Sequence, residues 1–234
     1  MSNVVSPVIV ALDFDNMSKA KQLVSQLSPQ NCRLKVGKEM FTLFGPDWVR
    51  YLVDNGYDVF LDLKFHDIPN TVAKAVSAAS KLGVWMVNVH ASGGGDMITA
   101  AKDAALSATS SPLLTAVTIL TSMDQRQFTP VYQSQNIQEK VVALASLAQD
   151  SGADGVVCSA QEALVLRKTL NTNFKLVTPG IRPAGSNVDD QKRIMTPAKA
   201  MQEGVDYLVI GRPITQAEDP KQALHNINQS LSVV

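Results

Sequence analysis

Eight short runs rich in Val, Ile and Leu recur along the chain, at 8–13, 33–37, 58–64, 84–90, 113–120, 155–159, 175–178 and 207–211. Each has the length of a buried strand. The segments between them have helical character, and 70–82 and 137–149 place apolar residues three and four apart, as one-sided helices do. Strand and helix therefore alternate, which predicts an α/β fold with a parallel sheet. Eight such units favour closure into a (β/α)8 TIM barrel over an open doubly wound sheet. The first run lacks the glycine-rich GxGxxG turn of dinucleotide folds, and polar residues close almost every run instead. Two connections, 121–136 and 179–194, are longer than a barrel needs and sit where lids and ligand contacts belong.

The 234 residues suit one barrel, so 1–234 is read as a single domain. Twenty-one Lys and Arg balance 21 Asp and Glu, which argues against a nucleic-acid partner. The start, MSNVVSPVIVALDF, lacks the features of a signal peptide, and no apolar run approaches membrane-spanning length. A soluble, cytoplasmic protein is expected. Cys32 and Cys158 stand far apart without metal-ligand spacing, so free buried thiols are expected rather than a disulfide or a zinc site.

The third run ends in Asp62-Leu63-Lys64-Phe65-His66-Asp67. Charges at the end of a buried strand are costly unless they have partners and a task. Asp62 and Lys64 are two apart and project to one side, while Leu63 points to the other. Asp67, past the strand, either meets the same site or reaches toward a neighbouring subunit. Lys35, near the end of the second run, would supply a second cation, and Asp13 closes the first. The alternative for such a cluster is an ion-pair network that merely closes the barrel; several ionisable groups on adjacent strand ends argue for a site.

A phosphate clamp is the second constellation. Thr178-Pro179-Gly180-Ile181-Arg182 follows the seventh run and Gly211-Arg212-Pro213 the eighth, where barrels of this kind seat phosphate. Glycine lets backbone N–H groups approach the oxygens, and arginine adds a bidentate contact. His66 alternates away from Lys64, which favours packing or an interface role. His90 before Ala91-Ser92-Gly93-Gly94-Gly95 suits either a phosphate cradle or a tight turn opening a helix. His225 is read as a surface residue. No HxxxH or HxH spacing occurs, and a lysine stands among the carboxylates, so a catalytic metal is not expected.

Taken together, ALDF, LKVGKEMF, DLKFHDIPNT, VNVHASGG, LTSM, PGIRP and VIGRPIT closely resemble the bacterial orotidine 5'-phosphate decarboxylase family, from about Val8 to Leu231. DxKxxD alone also occurs in related magnesium-dependent phosphosugar decarboxylases and lyases, but those carry a glutamate where this chain has Lys35. The resemblance implies a TIM barrel that converts orotidine 5'-monophosphate to uridine 5'-monophosphate and CO2 without a cofactor, in pyrimidine biosynthesis. It further implies that Lys64 protonates C6 of the pyrimidine and that Asp62 lies against the departing carboxylate. Lys35 and Asp13 would hold the ribose and complete the charged array. Asp67, Ile68 and Thr71 would cross into the partner's site in a homodimer. Thr121 and Ser122 would lie at the pyrimidine, Gln191, Gly211 and Arg212 at the phosphate, and Arg182 in the loop that closes over it.

Overall fold

A computed structural model describes residues 6–133, 136–183 and 195–231. The apolar runs form β1 (Val8–Leu12), β2 (Arg33–Gly37), β3 (Val59–Phe65), β4 (Met86–His90), β5 (Leu113–Val117), β6 (Gly155–Val157), β7 (Lys175–Thr178) and β8 (Tyr207–Ile210). They pair in parallel in chain order, and β8 returns to β1 through Val8↔Leu208 and Val10↔Ile210, closing the barrel. Period-two alternation then divides the apolar residues between two cores. Ile9, Ala11, Phe60, Met86, Val117, Val157, Val177 and Val209 fill the barrel interior. Their neighbours, such as Val10, Leu34, Val36, Leu61, Val87 and Val89, pack outward against the helices. Gly155 is required at its place in the wall, because a Cβ there would stand 2.3 Å from the Lys175 carbonyl oxygen.

The helices are α1 (Met17–Val24), α2 (Lys38–Asp54), α3 (Pro69–Ser80), α4 (Gly95–Leu106), α5 (Gln125–Tyr132), α6 (Ile137–Asp150), α7 (Ala163–Thr169), α8 (Pro197–Gln202), α9 (Arg212–Thr215) and α10 (Pro220–Leu231). The expected helices at 70–82 and 137–149 correspond to α3 and α6. The stretch 121–136, expected as an irregular loop, instead contains α5. Its proline, Pro130, and its short length hide it from periodicity, but Asp124 caps it by accepting from the Gln127 N–H at 3.1 Å, and Phe128 is fully buried. β5 stops at Val117 rather than at 120, so Thr118 to Leu120 already belong to the connection. Among the described residues no helix is long and apolar enough to cross a membrane. Both cysteines are buried, and neither forms a disulfide.

One turn recurs at the N-terminal end of the barrel. Gly56, Gly83, Gly152 and Gly204 leave their helices at φ between +79 and +93, a left-handed conformation that glycine adopts without steric cost. Two residues later the chain enters a strand through Asp58, Trp85, Asp154 and Asp206 respectively. Asp154 accepts from the Leu114 N–H at 2.8 Å and pairs with Lys102. Asp206 accepts from the Leu176 N–H at 2.8 Å and pairs with Arg167 and Lys175. Each thus pins a strand to its predecessor. Asp58 pairs instead with the buried Arg33 at 3.2 Å, whose guanidinium lies over Trp85 and Tyr207 and seals the barrel floor. Asp206→Ala strands the Leu176 amide and two cations, and is expected to cost about 2–3 kcal/mol. Urea denaturation should show a lower midpoint with an unchanged slope, and ligand binding at the far end of the barrel should be unaltered.

Candidate active site

The C-terminal end of the barrel is where the inward alternation changes from apolar to charged. On β3 the inward series reads Phe60, Asp62, Lys64, while Leu63 packs against the outer core. β1 contributes Asp13 just past its end, and β2 contributes Lys35 and then Gly37. Lys64 Nζ lies 2.5 Å from Asp62 Oδ1. Lys35 Nζ lies 3.4 Å from Asp62 Oδ2 and 3.6 Å from Asp13 Oδ1. Four charges on three adjacent strands therefore form one chain, Asp13, Lys35, Asp62, Lys64.

A fifth side chain completes it. Asn88 on β4 is fully buried; its Nδ2 donates to Asp62 Oδ1 at 2.7 Å, and its Oδ1 accepts from the Lys64 backbone N–H at 2.8 Å. The β3–β4 register explains the second bond. Leu61 pairs with Val87 and Phe65 with Val89, so three residues of β3 bulge against Asn88 alone. Within that bulge Lys64 takes φ +53, a left-handed conformation that is strained for a side chain of its size.

Burial by itself would push the Asp62 carboxyl upward, but the Lys35 and Lys64 ammonium groups and the hydrogen bonds from Lys64 and Asn88 outweigh it. The net effect holds Asp62 below the usual carboxylate range, so it is ionised at neutral pH. His90, one turn of the strand beyond Asn88, is pushed down to about 4, first by burial and then by His66, Lys38 and Lys64, with Asp62 opposing. It is neutral near pH 7 and adds no third cation to the cluster.

The array forms one wall of a cavity of about 490 Å³. Asp13, Lys35, Asp62 and Lys64 face Leu120, Thr121 and Arg182 on one side and Gly211, Arg212 and Gln216 on the other. Charged strand ends and the turns after β7 and β8 thus share one chamber. Of the other residues read from the sequence, Ser122 is exposed and does not line this chamber. Asp67, Ile68 and Thr71 are exposed beyond the end of β3, and Asp67 Oδ1 accepts from the Ile68 N–H at 2.7 Å. Gln191 lies outside the described residues. The glycine-rich turn after His90 opens α4 through a short 3-10 turn and takes no part in the cavity lining. Among the described residues no three His, Cys, Asp or Glu side chains gather as a metal site requires.

Sequence reasoning gave two contributors no role. Asn88 was visible as a polar residue near the end of an apolar run, but its partners depend on a bulge that no periodicity reveals. Gly37 sits where a Cβ would approach within 3.2 Å of Lys35 Nζ and 3.7 Å of Asp13 Oδ1, so its lack of a side chain leaves room for that ion pair. A glycine ending a strand that carries an inward lysine was the available signal.

Comparison with known proteins agrees with this geometry. The sequence pattern of the family described as Orotidine 5'-phosphate decarboxylase / HUMPS matches residues 6–227. The chain is 60% identical over 225 residues to the orotidine 5'-phosphate decarboxylase of Pseudoalteromonas translucida, covering 96% of each. It is 62% identical over 226 residues to that of Pseudoalteromonas atlantica, covering 96% of this chain and 98% of the relative. The crystal structure of orotidine 5'-phosphate decarboxylase from Lactobacillus acidophilus superposes with a TM-score of 0.86 at 41% identity, over 96% of this chain and 98% of the other. With a closed barrel, a shared charged chamber and relatives matched over nearly their full length, this chain belongs to the orotidine 5'-phosphate decarboxylase / HUMPS family.

Proposed function

We propose that this chain decarboxylates orotidine 5'-monophosphate to uridine 5'-monophosphate and CO2 without a cofactor, with Lys64 as the proton donor. The observation that carries the proposal is the Lys64–Asp62–Lys35–Asp13 chain facing the turns around Arg182 and Arg212 across one cavity, in a member of this family. The 5'-phosphate end of the substrate belongs with Gln191, Gly211 and Arg212, with Arg182 in the turn that closes over it. Thr121, which lines the cavity, and Ser122, its exposed neighbour just outside the lining, are assigned to the pyrimidine, and Asp13 and Lys35 to the ribose.

In the reaction the bond between C6 and the carboxylate breaks, CO2 departs, and the electron pair stays on C6 in the plane of the ring. The pyrimidine π system cannot delocalise it there. The Lys64 ammonium stabilises that charge and then transfers a proton to C6, to be reprotonated by solvent afterwards. A single charge pair at about 4 Å is worth about 4 kcal/mol at an effective dielectric near 20, whereas large enzymatic accelerations need roughly 8 to 23 kcal/mol. Lys64 therefore acts with other contributions. Binding of the remote phosphate and ribose holds the ring against the array and excludes water. Ionised Asp62, beside the substrate carboxylate, disfavours the ground state more than a transition state whose charge has moved to C6.

A homodimer is part of the same proposal. His66 through Thr71 form six consecutive exposed residues directly after the charged strand, and Ile68 is 66% exposed in the single chain. An apolar side chain so placed beside the exposed Asp67 carboxylate supports insertion of Asp67, Ile68 and Thr71 into the partner's chamber. Two buried thiols outside any disulfide are in keeping with the cytoplasm, where thiols stay reduced.

Incubation with orotidine 5'-monophosphate in excess chelator should give turnover, followed by the absorbance change on conversion. A chelator-sensitive reaction on a phosphosugar would instead support the magnesium-dependent relatives. Lys64→Ala is expected to lower kcat by about a thousandfold or more while product affinity changes little, because the lost charge acts on the transition state. Retained turnover would refute Lys64 as the donor. Mixing inactive Asp67→Asn and Lys64→Ala chains should restore part of the activity through heterodimers with one intact site. Failure after demonstrated subunit exchange would exclude a shared site.

A further inference from the structure

Asn88, an inward polar side chain of β4, contacts both reacting residues. We infer that Asn88 is a positioning residue for the decarboxylation, one amide that fixes Asp62 through its N–H and the backbone of Lys64 through its carbonyl. The inference rests on the proposed roles of Asp62 and Lys64 and deepens them.

Three observations carry it. Asn88 has 0% exposure, so both halves of its amide need partners inside the protein, and both find one. The carbonyl takes the Lys64 N–H where the β3 bulge has displaced it from the regular β4 ladder, and so holds the left-handed turn that aims the ammonium. The amide N–H₂ donates to Asp62 Oδ1, the same oxygen that receives Lys64 Nζ. That oxygen is therefore gripped from two directions, while Lys35 holds Oδ2. The carboxylate plane is set by three groups, and only Asn88 among them is uncharged and locked in a strand.

Asparagine is suited to this position for chemical reasons. Aspartate has the same shape and could accept from the Lys64 N–H, but it has no donor for Asp62 and would set a second carboxylate against it. Leucine would fill the space and satisfy neither partner. A residue that merely fills the core would tolerate such changes in catalysis even when stability fell.

Asn88→Asp is the first test, because it changes the hydrogen-bonding pattern and not the volume. Per folded molecule, kcat/KM for orotidine 5'-monophosphate is expected to fall by about ten- to a hundredfold, the range for losing one hydrogen bond to a charged group. The loss should lie in kcat, with uridine 5'-monophosphate affinity unchanged, because the phosphate turns are untouched. The acid limb of the pH profile should also move to higher pH. A carboxylate that loses a donor, among the fixed charges of Asp13, Lys35, Lys64 and the neutral His90 that surround it, takes up a proton more readily.

Asn88→Ser and Asn88→Ala form the second test, since both leave nearly the same space and differ in one hydroxyl. Serine should retain more kcat than alanine if polar contact is what counts. Wild-type kcat and an unshifted acid limb in Asn88→Asp would overturn the inference, as would equal kcat in the serine and alanine variants should the aspartate variant fail to fold. No turnover by the unaltered chain would instead overturn the reading of the reaction itself.

Discussion

A single buried carboxylate organises the upper half of this barrel. Asp62 has 12% side-chain exposure, and a charge so placed is tolerated because Lys35, Lys64 and Asn88 surround it. Each of those partners sits on a different strand or past a bulge, so the ionised state of Asp62 depends on the closure of β2, β3 and β4 in their observed register. Lys35 in turn reaches Asp13 on β1, which makes the charged chain continuous across the strand ends. Removal of Asp62 would take from Lys64 its carboxylate and from Lys35 one of its two.

The barrel divides labour between its two ends. At the floor, Asp154 and Asp206 tie strand starts together, and the buried Arg33 pairs with Asp58 and lies against Trp85 and Tyr207. At the top, the charged chain borders a chamber of about 490 Å³. Similar residue types are used at both ends, but those at the top line a cavity. That contrast separates a stabilising ion-pair network from a site built to receive a ligand with its own charge.

Much of this was legible in the sequence, and the parts that were not share a cause. The eight apolar runs gave the strands because a parallel barrel buries both faces of each one, and Asp62 with Lys64 gave a common direction because spacing by two is maintained through the bulge. α5 was hidden by Pro130, and the ends of β5 and β6 were overestimated because Ile119 and Cys158 are buried apolar residues in the connections past the last ladder pairs. Asn88 and Gly37 were given no role, since their value lies in contacts between strands: a hydrogen-bonded amide beneath a bulge and the space left for Lys35 Nζ. Sequence periodicity reports the direction of a side chain, and not the distance to a neighbour on another strand.

The central claim is that the phosphate turns and the charged chain hold one nucleotide so that C6 meets Lys64. A crystal structure with uridine 5'-monophosphate bound tests it most directly. The account predicts the phosphate at Gly211 and Arg212 and C6 within about 3–3.5 Å of Lys64 Nζ, the separation of a near-attack geometry. A nucleotide seated with its phosphate elsewhere, or with C6 turned away from Lys64 and toward solvent, would contradict it.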